Sequence, residues 1–279
     1  MSCHARSKAY NAHHVPQRIG GFISYEVNQL ETQEVVFTLT REITHKQAYE
    51  EASNAIKNVS NVFDELLQED ERFWSSCPKL TEDWPDAWKH SWIYDFETTR
   101  MCVFPPTGVF QDSWPTWMIS KPRVVLAENT LDMMRLHYAD NRLAQKALLT
   151  VFKSARMPNI PCMFPNGNFD MVAQDNSVCG TSPAWCLPFH QIYLMYLRQL
   201  DKNWITQLYP YMASYLQWWL DNRIDEEGWA VYKCTWEAGE DCNPRLDPDE
   251  TGDADITGIV RPVELQAAIA ISAHILTIF

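Results

Sequence analysis

The stretch from Trp236 to Arg245, WEAGEDCNPR, concentrates the groups that proton chemistry needs. Hydrolysis of a glycosidic bond takes two carboxyl groups: one protonates the leaving oxygen, and the other acts on water or on the anomeric carbon. The acid must stay protonated near neutral pH, so an apolar wall or a neighbouring negative charge must raise its pKa. Trp236 offers the wall, and Glu237 and Glu240 offer the charge. Arg245 is suited to pair with a carboxylate that stays ionised. The alternative is a solvated acidic turn without chemistry.

A second group of suitable residues lies in PPTGVFQDSWPTW, residues 105–117. A sugar presents hydroxyl groups to a carboxylate and an apolar face to an aromatic ring, so Asp112, Trp114 and Trp117 suit a carbohydrate ligand. Equally, Trp114 and the proline after it are suited to closing a helix–loop junction. The acidic stretch 247–255 lacks the spacing of a calcium loop, which favours a solvated loop.

The overall charge narrows the choice of ligand. The 279 residues carry a formal net charge of -13. Phosphate binding needs clustered Lys and Arg, so this balance argues against nucleic acid and anionic membranes as partners. A neutral or cationic ligand fits better, and the 12 Trp and 11 Tyr are typical platforms for sugar rings.

The sequence lacks the common motifs for other chemistries. It contains no G-x-x-x-x-G-K-[ST] loop, no G-x-G-x-x-G fingerprint and no G-x-S-x-G elbow, so we predict no nucleotide cofactor and no serine hydrolase. The eight Cys form no C-x-x-C pair, so no metal site is predicted. No apolar run has the length of a signal peptide or a membrane span, which favours a cytoplasmic location. The oligomeric state is left open.

The pattern along the chain is mainly helical. Residues 1–20 are expected to form a flexible leader, and residues 21–43 show strand-like alternation, clearest in VVFTLT. Helices are predicted at 44–74, 84–101, 124–139, 141–155, 185–200, 204–223 and from Pro262 onward. Thr44 is the expected N-cap of the first helix. Thr181 or Ser182 is the expected cap of the helix at 185–200, with Pro183 in its first turn. The loops at 102–120, 157–184 and 226–261 are unusually long, which is typical of ligand sites.

The two ends of the sequence suggest a larger domain. Residues 265–279 are apolar on all sides, and such a helix must be buried by several neighbours. One or two strands cannot form a stable sheet alone. We therefore expect the sequence to be a fragment of a longer protein.

Taken in order, these pieces resemble the six-hairpin (α/α)6 glycosidases, in particular the trehalases and the processing α-glucosidase/mannosylglycerate hydrolase group. In those families a loop E-S-G-x-D-x-S-x-R carries the general acid. Residues 237–245, EAGEDCNPR, match it with Asp241 at the acid's position and Ala238 in place of Ser. Three weaker matches follow the same order: residues 111–113 to the family's W-D-S, 181–183 to its S-x-P-P-like stretch and 261–266 to its V-D-L-N segment. The resemblance covers about residues 94–272.

The resemblance implies a fold and an activity. The fold would be mainly α: residues 44–279 would form the N-terminal part of a truncated (α/α)6 toroid, preceded at 21–43 by a β remnant of an N-terminal sandwich. The activity would be inverting, α-glucosidase-like hydrolysis of a small oligosaccharide or glycoside, with Asp241 as general acid. The general base would be a Glu beyond residue 279. The residues implied to contact the sugar are Asp112, Trp114, Trp117, Trp236, Glu237 and Arg245.

Two alternatives remain at this stage. A catalytically inactive half-barrel that binds a glycan or a protein partner is favoured by Gln111, which replaces the family's Trp, and by the absence of the base. A helical scaffold related to other α/α toroids, such as terpene cyclases, would need neither sugar binding nor hydrolysis. The absence of a D-D-x-x-D-type metal motif argues against the cyclase version.

Overall fold

The computed structural model describes residues 2–12, 15–26, 38, 40, 44–241, 243–247, 249 and 251–279. The chain divides into two compact units, Met1–Leu66 and Leu67–Phe279.

The first unit contains a two-stranded antiparallel sheet. Strand β1, Ser2–Ala12, pairs with β2, Val15–Glu26, and the register is irregular between Tyr10 and Ala12. These strands include most of residues 1–20, the segment predicted as a leader. Most of the VVFTLT segment lies outside the described residues.

The helix predicted at 44–74 is two helices. Helix α1 spans His45–Lys57, and the Thr44 side chain accepts the Gln47 amide at 3.3 Å, which confirms the predicted N-cap. Asn58 ends α1, and α2 spans Val59–Ser76.

The second unit is helical apart from one small sheet. Strands β3, Val103–Phe104, and β4, Trp114–Pro115, pair antiparallel. The helices that follow α2 are α3, Asp86–Met101; α4, Leu126–Leu136; α5, Asn141–Ser154; α6, Pro188–Gln199; α7, Lys202–Asn222; α8, Thr235–Ala238; and α9, Val263–Ile278. Among the described residues, no helix is long and apolar enough to cross a membrane.

The helices pack in two alternating sets. Helix α4 contacts α6, and α6 contacts α9, while α5, which also contacts α4, contacts α7. Inner helices that pack on inner helices, with outer helices behind them, are the arrangement of an α/α toroid. The mainly helical fold with a small β segment confirms the predicted fold class.

Local signals explain most helix starts. Asp140 caps α5 by accepting the Leu143 amide at 2.9 Å, and Asp201 caps α7 by accepting the Trp204 amide at 3.0 Å. Helix α6, however, begins at Pro188 rather than near Trp185. The Ser182 hydroxyl accepts the Trp185 amide at 3.2 Å in a separate turn. Leu187, in the left-handed region at φ 48°, then precedes the helix.

Large aromatic side chains fill the core of the second unit. The largest side chains that are fully buried include Trp114, Trp219, Tyr215 and Tyr232. Much of the aromatic content noted in the sequence is therefore packing. The Tyr215 hydroxyl also donates to the Thr181 carbonyl, which ties α7 to the long loop before α6.

Candidate active site

The predicted acid loop is a single helical turn closed by a glycine. Helix α8 ends at Ala238, and Gly239 adopts φ 72°, a left-handed conformation that favours glycine. A Cβ added to Gly239 would lie 2.5 Å from the Trp185 ring. The loop can approach Trp185 this closely only because residue 239 has no side chain. Asp241 follows two residues later.

Asp241 is exposed at the surface of this loop. The protein around it nevertheless desolvates its carboxyl group in part, and this raises the pKa of Asp241 above its ordinary value. A raised pKa is what a general acid needs, since the proton must be present before it can be transferred.

Glu128 lies next to this acid and was missed by the sequence analysis. It occupies the first turn of α4 and is half-buried. Burial raises the pKa of Glu128 to about 7, with smaller contributions from the charges of Asp132 and Asp241. The indole N–H of Trp185 opposes the shift. Among the side chains that the structure describes, none gives Glu128 Oε2 a hydrogen bond.

Glu128, Trp185 and Asp241 therefore form one cluster, which we call the acid cluster. It combines two carboxyl groups of raised pKa with an aromatic ring. The signal in the sequence was weak: Glu128 is an acidic residue among apolar and small ones at the start of a helix, and every residue from 124 to 127 is buried.

Glu237 anchors the acid loop through hydrogen bonds to its buried carboxylate. Its side chain is fully buried, and Arg223 donates to it from Nε at 2.9 Å and from Nη2 at 2.6 Å. The backbone amides of Lys233 and Gly180 donate to the same carboxylate at 2.7 and 3.3 Å. The carboxylate thus joins the end of α7, the loop before α6 and α8.

Arg245 ties the other end of the loop to α9. Its Nη2 lies 2.8 Å from Glu264 Oε1 and 3.4 Å from Glu240 Oε1. The predicted pairing of Arg245 with an ionised carboxylate of the loop is therefore made with Glu240, and Asp241 is left without it.

Trp236 is half-buried over a second glycine. A Cβ on Gly252, which has φ +81°, would lie 2.1 Å from Trp236 Nε1. The Asp247 carboxylate fixes this turn, because it accepts the amides of Thr251 and Gly252, each at 2.9 Å. Trp236 is thereby positioned by the acidic stretch 247–255.

The residues near position 112 that were predicted to contact a sugar make their contacts with side chains outside the acid cluster. Trp114 is fully buried and stacks on Phe110 with a centroid distance of 4.3 Å. Asp112 pairs with Lys146 Nζ on α5 at 2.7 Å, and this hydrogen bond is the main cause of its lowered pKa. Within the continuous range 44–241, no hydrogen bond or ion pair joins Asp112 to Asp241.

Trp117 is 40% exposed, and its ring lies 4.3 Å from the Arg123 guanidinium carbon. It therefore presents an aromatic surface, whereas Trp114 and Glu237 are fully buried and have no surface to offer a sugar in this arrangement. Sugar contacts by Trp114 and Glu237 stay predictions that would require these side chains to move.

No group of three or more His, Cys, Asp or Glu side chains is placed to hold a metal ion in the part of the chain that the structure describes.

A comparison with family models finds a match to the mannosylglycerate hydrolase MGH1-like glycoside hydrolase domain, over residues 129–269. The match spans half of the chain and includes Asp241. It confirms the resemblance to the six-hairpin glycosidases. No curated protein sequence matches the chain.

Proposed function

Because the chain belongs to the MGH1-like glycoside hydrolase family, we propose that it hydrolyses a small oligosaccharide or glycoside by inversion, in the manner of an α-glucosidase, with Asp241 as general acid. One observation carries the assignment. Asp241 follows the glycine-closed turn that packs against Trp185, beside a second half-buried carboxyl group, and its own pKa is raised.

In the proposed reaction, the Asp241 carboxyl gives its proton to the glycosidic oxygen as the bond to the anomeric carbon breaks. A water molecule attacks the opposite face of that carbon and loses a proton to a general base. The resemblance places this base, a Glu, beyond residue 279. The products are a sugar of inverted configuration and a free alcohol, and Asp241 regains its proton from the solvent.

Glu128 and Trp185 would hold the sugar ring next to Asp241. Glu128 and Trp185 are both half-buried, and Trp185 offers an apolar ring beside the carboxyl group. Trp236 lines the same loop, while Trp117, Asp112 and Arg245 are proposed as outer contacts. For Trp114 and Glu237 we propose a supporting role, since both are fully buried.

The test uses the full-length gene product and the variant Asp241→Asn, with Asp249→Asn as the matched control, because Asp249 is an exposed aspartate in the following loop. We expect Asp241→Asn to lose turnover by about 10²–10⁴-fold while ligand affinity is retained. The control should keep full turnover. Proton NMR of the first product anomer tests inversion. Full turnover in Asp241→Asn, or a product of retained configuration, would contradict the proposal.

A further inference from the structure

 A cleft lined by tryptophan lies along helix α3, on residues that the proposed reaction does not use. The tryptophan-lined cleft, of about 490 Å³, is bordered by Leu80, Trp84, Trp88, Ser91, Trp92 and Asp95. Small-molecule sites commonly measure roughly 300–1,000 Å³, so a sugar unit or two would fit.

Trp88 and Trp92 lie on one side of α3 because they are four residues apart, and Trp84 lies just before the helix begins. Trp84 and Trp88 stack with ring centroids 5.3 Å apart. Trp92 is held by its indole N–H, which donates to the Pro78 carbonyl at 2.7 Å, and by an edge contact with Phe96 at 5.5 Å. The rings are therefore fixed in place before any ligand arrives.

These rings are also unusually exposed. The exposed fractions are 39% for Trp84, 59% for Trp88 and 39% for Trp92. A contiguous exposed aromatic surface is uncommon on a soluble domain and marks a binding site more often than a single exposed ring does.

We propose that this cleft binds a neutral α-linked glucooligosaccharide, as a second carbohydrate site separate from Asp241. The apolar faces of sugar rings would lie on the tryptophan rings, and the exposed Ser91 hydroxyl would bond to sugar hydroxyls. None of the six residues that border the cleft is cationic, so its lining offers no charge that would select an anionic ligand. The net charge of -13 also disfavours one. The choice of a glucan rests on the proposed function.

The test titrates maltoheptaose into the full-length protein by calorimetry, using Asp241→Asn as background so that the ligand persists. Adding Trp88→Ala should weaken the binding at this cleft by about tenfold, as truncation of a central aromatic contact does. The control is Trp229→Ala, since Trp229 is 48% exposed on a turn after α7. It should leave binding unchanged. Hydroxyl-radical footprinting should show protection of the peptide that contains Trp84 to Trp92 only when maltoheptaose is present.

Three results would overturn this inference. The first is the absence of saturable maltoheptaose binding, and the second is a Trp88→Ala variant in which both the binding and the footprinting protection are unchanged. The third is a Trp88→Ala variant in which only self-association changes, as measured by sedimentation velocity. Failure of the proposed function is separable, because it appears as unchanged hydrolysis in Asp241→Asn whatever residue occupies position 88.

Discussion

Replacing Glu128 by Gln should stabilise the protein at neutral and alkaline pH. Burial raises the pKa of Glu128 from 4.5 to about 7. This difference corresponds to at most roughly 3 kcal/mol of stability once the carboxylate is ionised. Glu128 is only half-buried, so solvent screening reduces the expected gain to about 2 kcal/mol.

The sign follows from where the proton is bound. Below the unfolded-state pKa of 4.5, the carboxyl is protonated in both states and imposes no penalty. Between 4.5 and about 7 the unfolded chain releases the proton while the folded protein keeps it, so stability falls as the pH rises. Above about 7 both states are ionised, and the penalty stays constant.

The assay is urea denaturation of wild type and Glu128→Gln at about pH 4 and about pH 8, which bracket the titration. The variant should match wild type at the lower pH and exceed it by about 2 kcal/mol at the higher one. Glu226→Gln is the control, because Glu226 is exposed and should show no such dependence. Equal stability of wild type and Glu128→Gln at both pH values would refute the reasoning.

Three further predictions concern the acid loop and the thiols. Glu237→Gln should lower the free energy of unfolding by about 3–5 kcal/mol, because it leaves the guanidinium of Arg223 without its charged partner. The control is Glu240→Gln, which removes the more exposed ion pair with Arg245. In the same urea assay it should lower the free energy of unfolding by no more than about 1 kcal/mol. Gly239→Ala should lower the free energy of unfolding by at least about 1 kcal/mol and reduce turnover. The reason is that both the φ of 72° at Gly239 and the nearby Trp185 ring oppose a Cβ. Unchanged stability and turnover would contradict the packing described. A hydrogen bond with the Cys234 thiol, together with burial, raises the pKa of Cys179, and burial raises the pKa of Cys162. Both free thiols should therefore react with an alkylating reagent only after denaturation. Rapid labelling of the native protein, located by mass spectrometry, would argue against this.

Most helices were predictable because their signals are local. Apolar spacing and the cap at Thr44 mark helix starts. The spacing from Glu237 to Arg245 supports the prediction of an acid loop. The break at Asn58 was missed, because the apolar pattern continues across it.

The remaining features depend on contacts between distant segments. Nothing in the types of Trp114 and Glu237 reveals that both are fully buried, since a tryptophan or glutamate in a loop serves a ligand or the core equally well. Burial is the main cause of the raised pKa of Glu128, with a smaller contribution from the charge of Asp241, which lies far along the chain. The β1–β2 pairing likewise has no local signal.

The most direct test of the central claim compares two substrates in the full-length Asp241→Asn variant. An α-linked glucose disaccharide needs a proton on its leaving oxygen, whereas the fluoride leaving group of a glucosyl fluoride needs almost none. We predict that the variant loses hydrolysis of the disaccharide by at least about 10²-fold but keeps most of its activity on the glucosyl fluoride. Equal losses on both substrates, or no loss on either, would contradict the role of Asp241 as general acid.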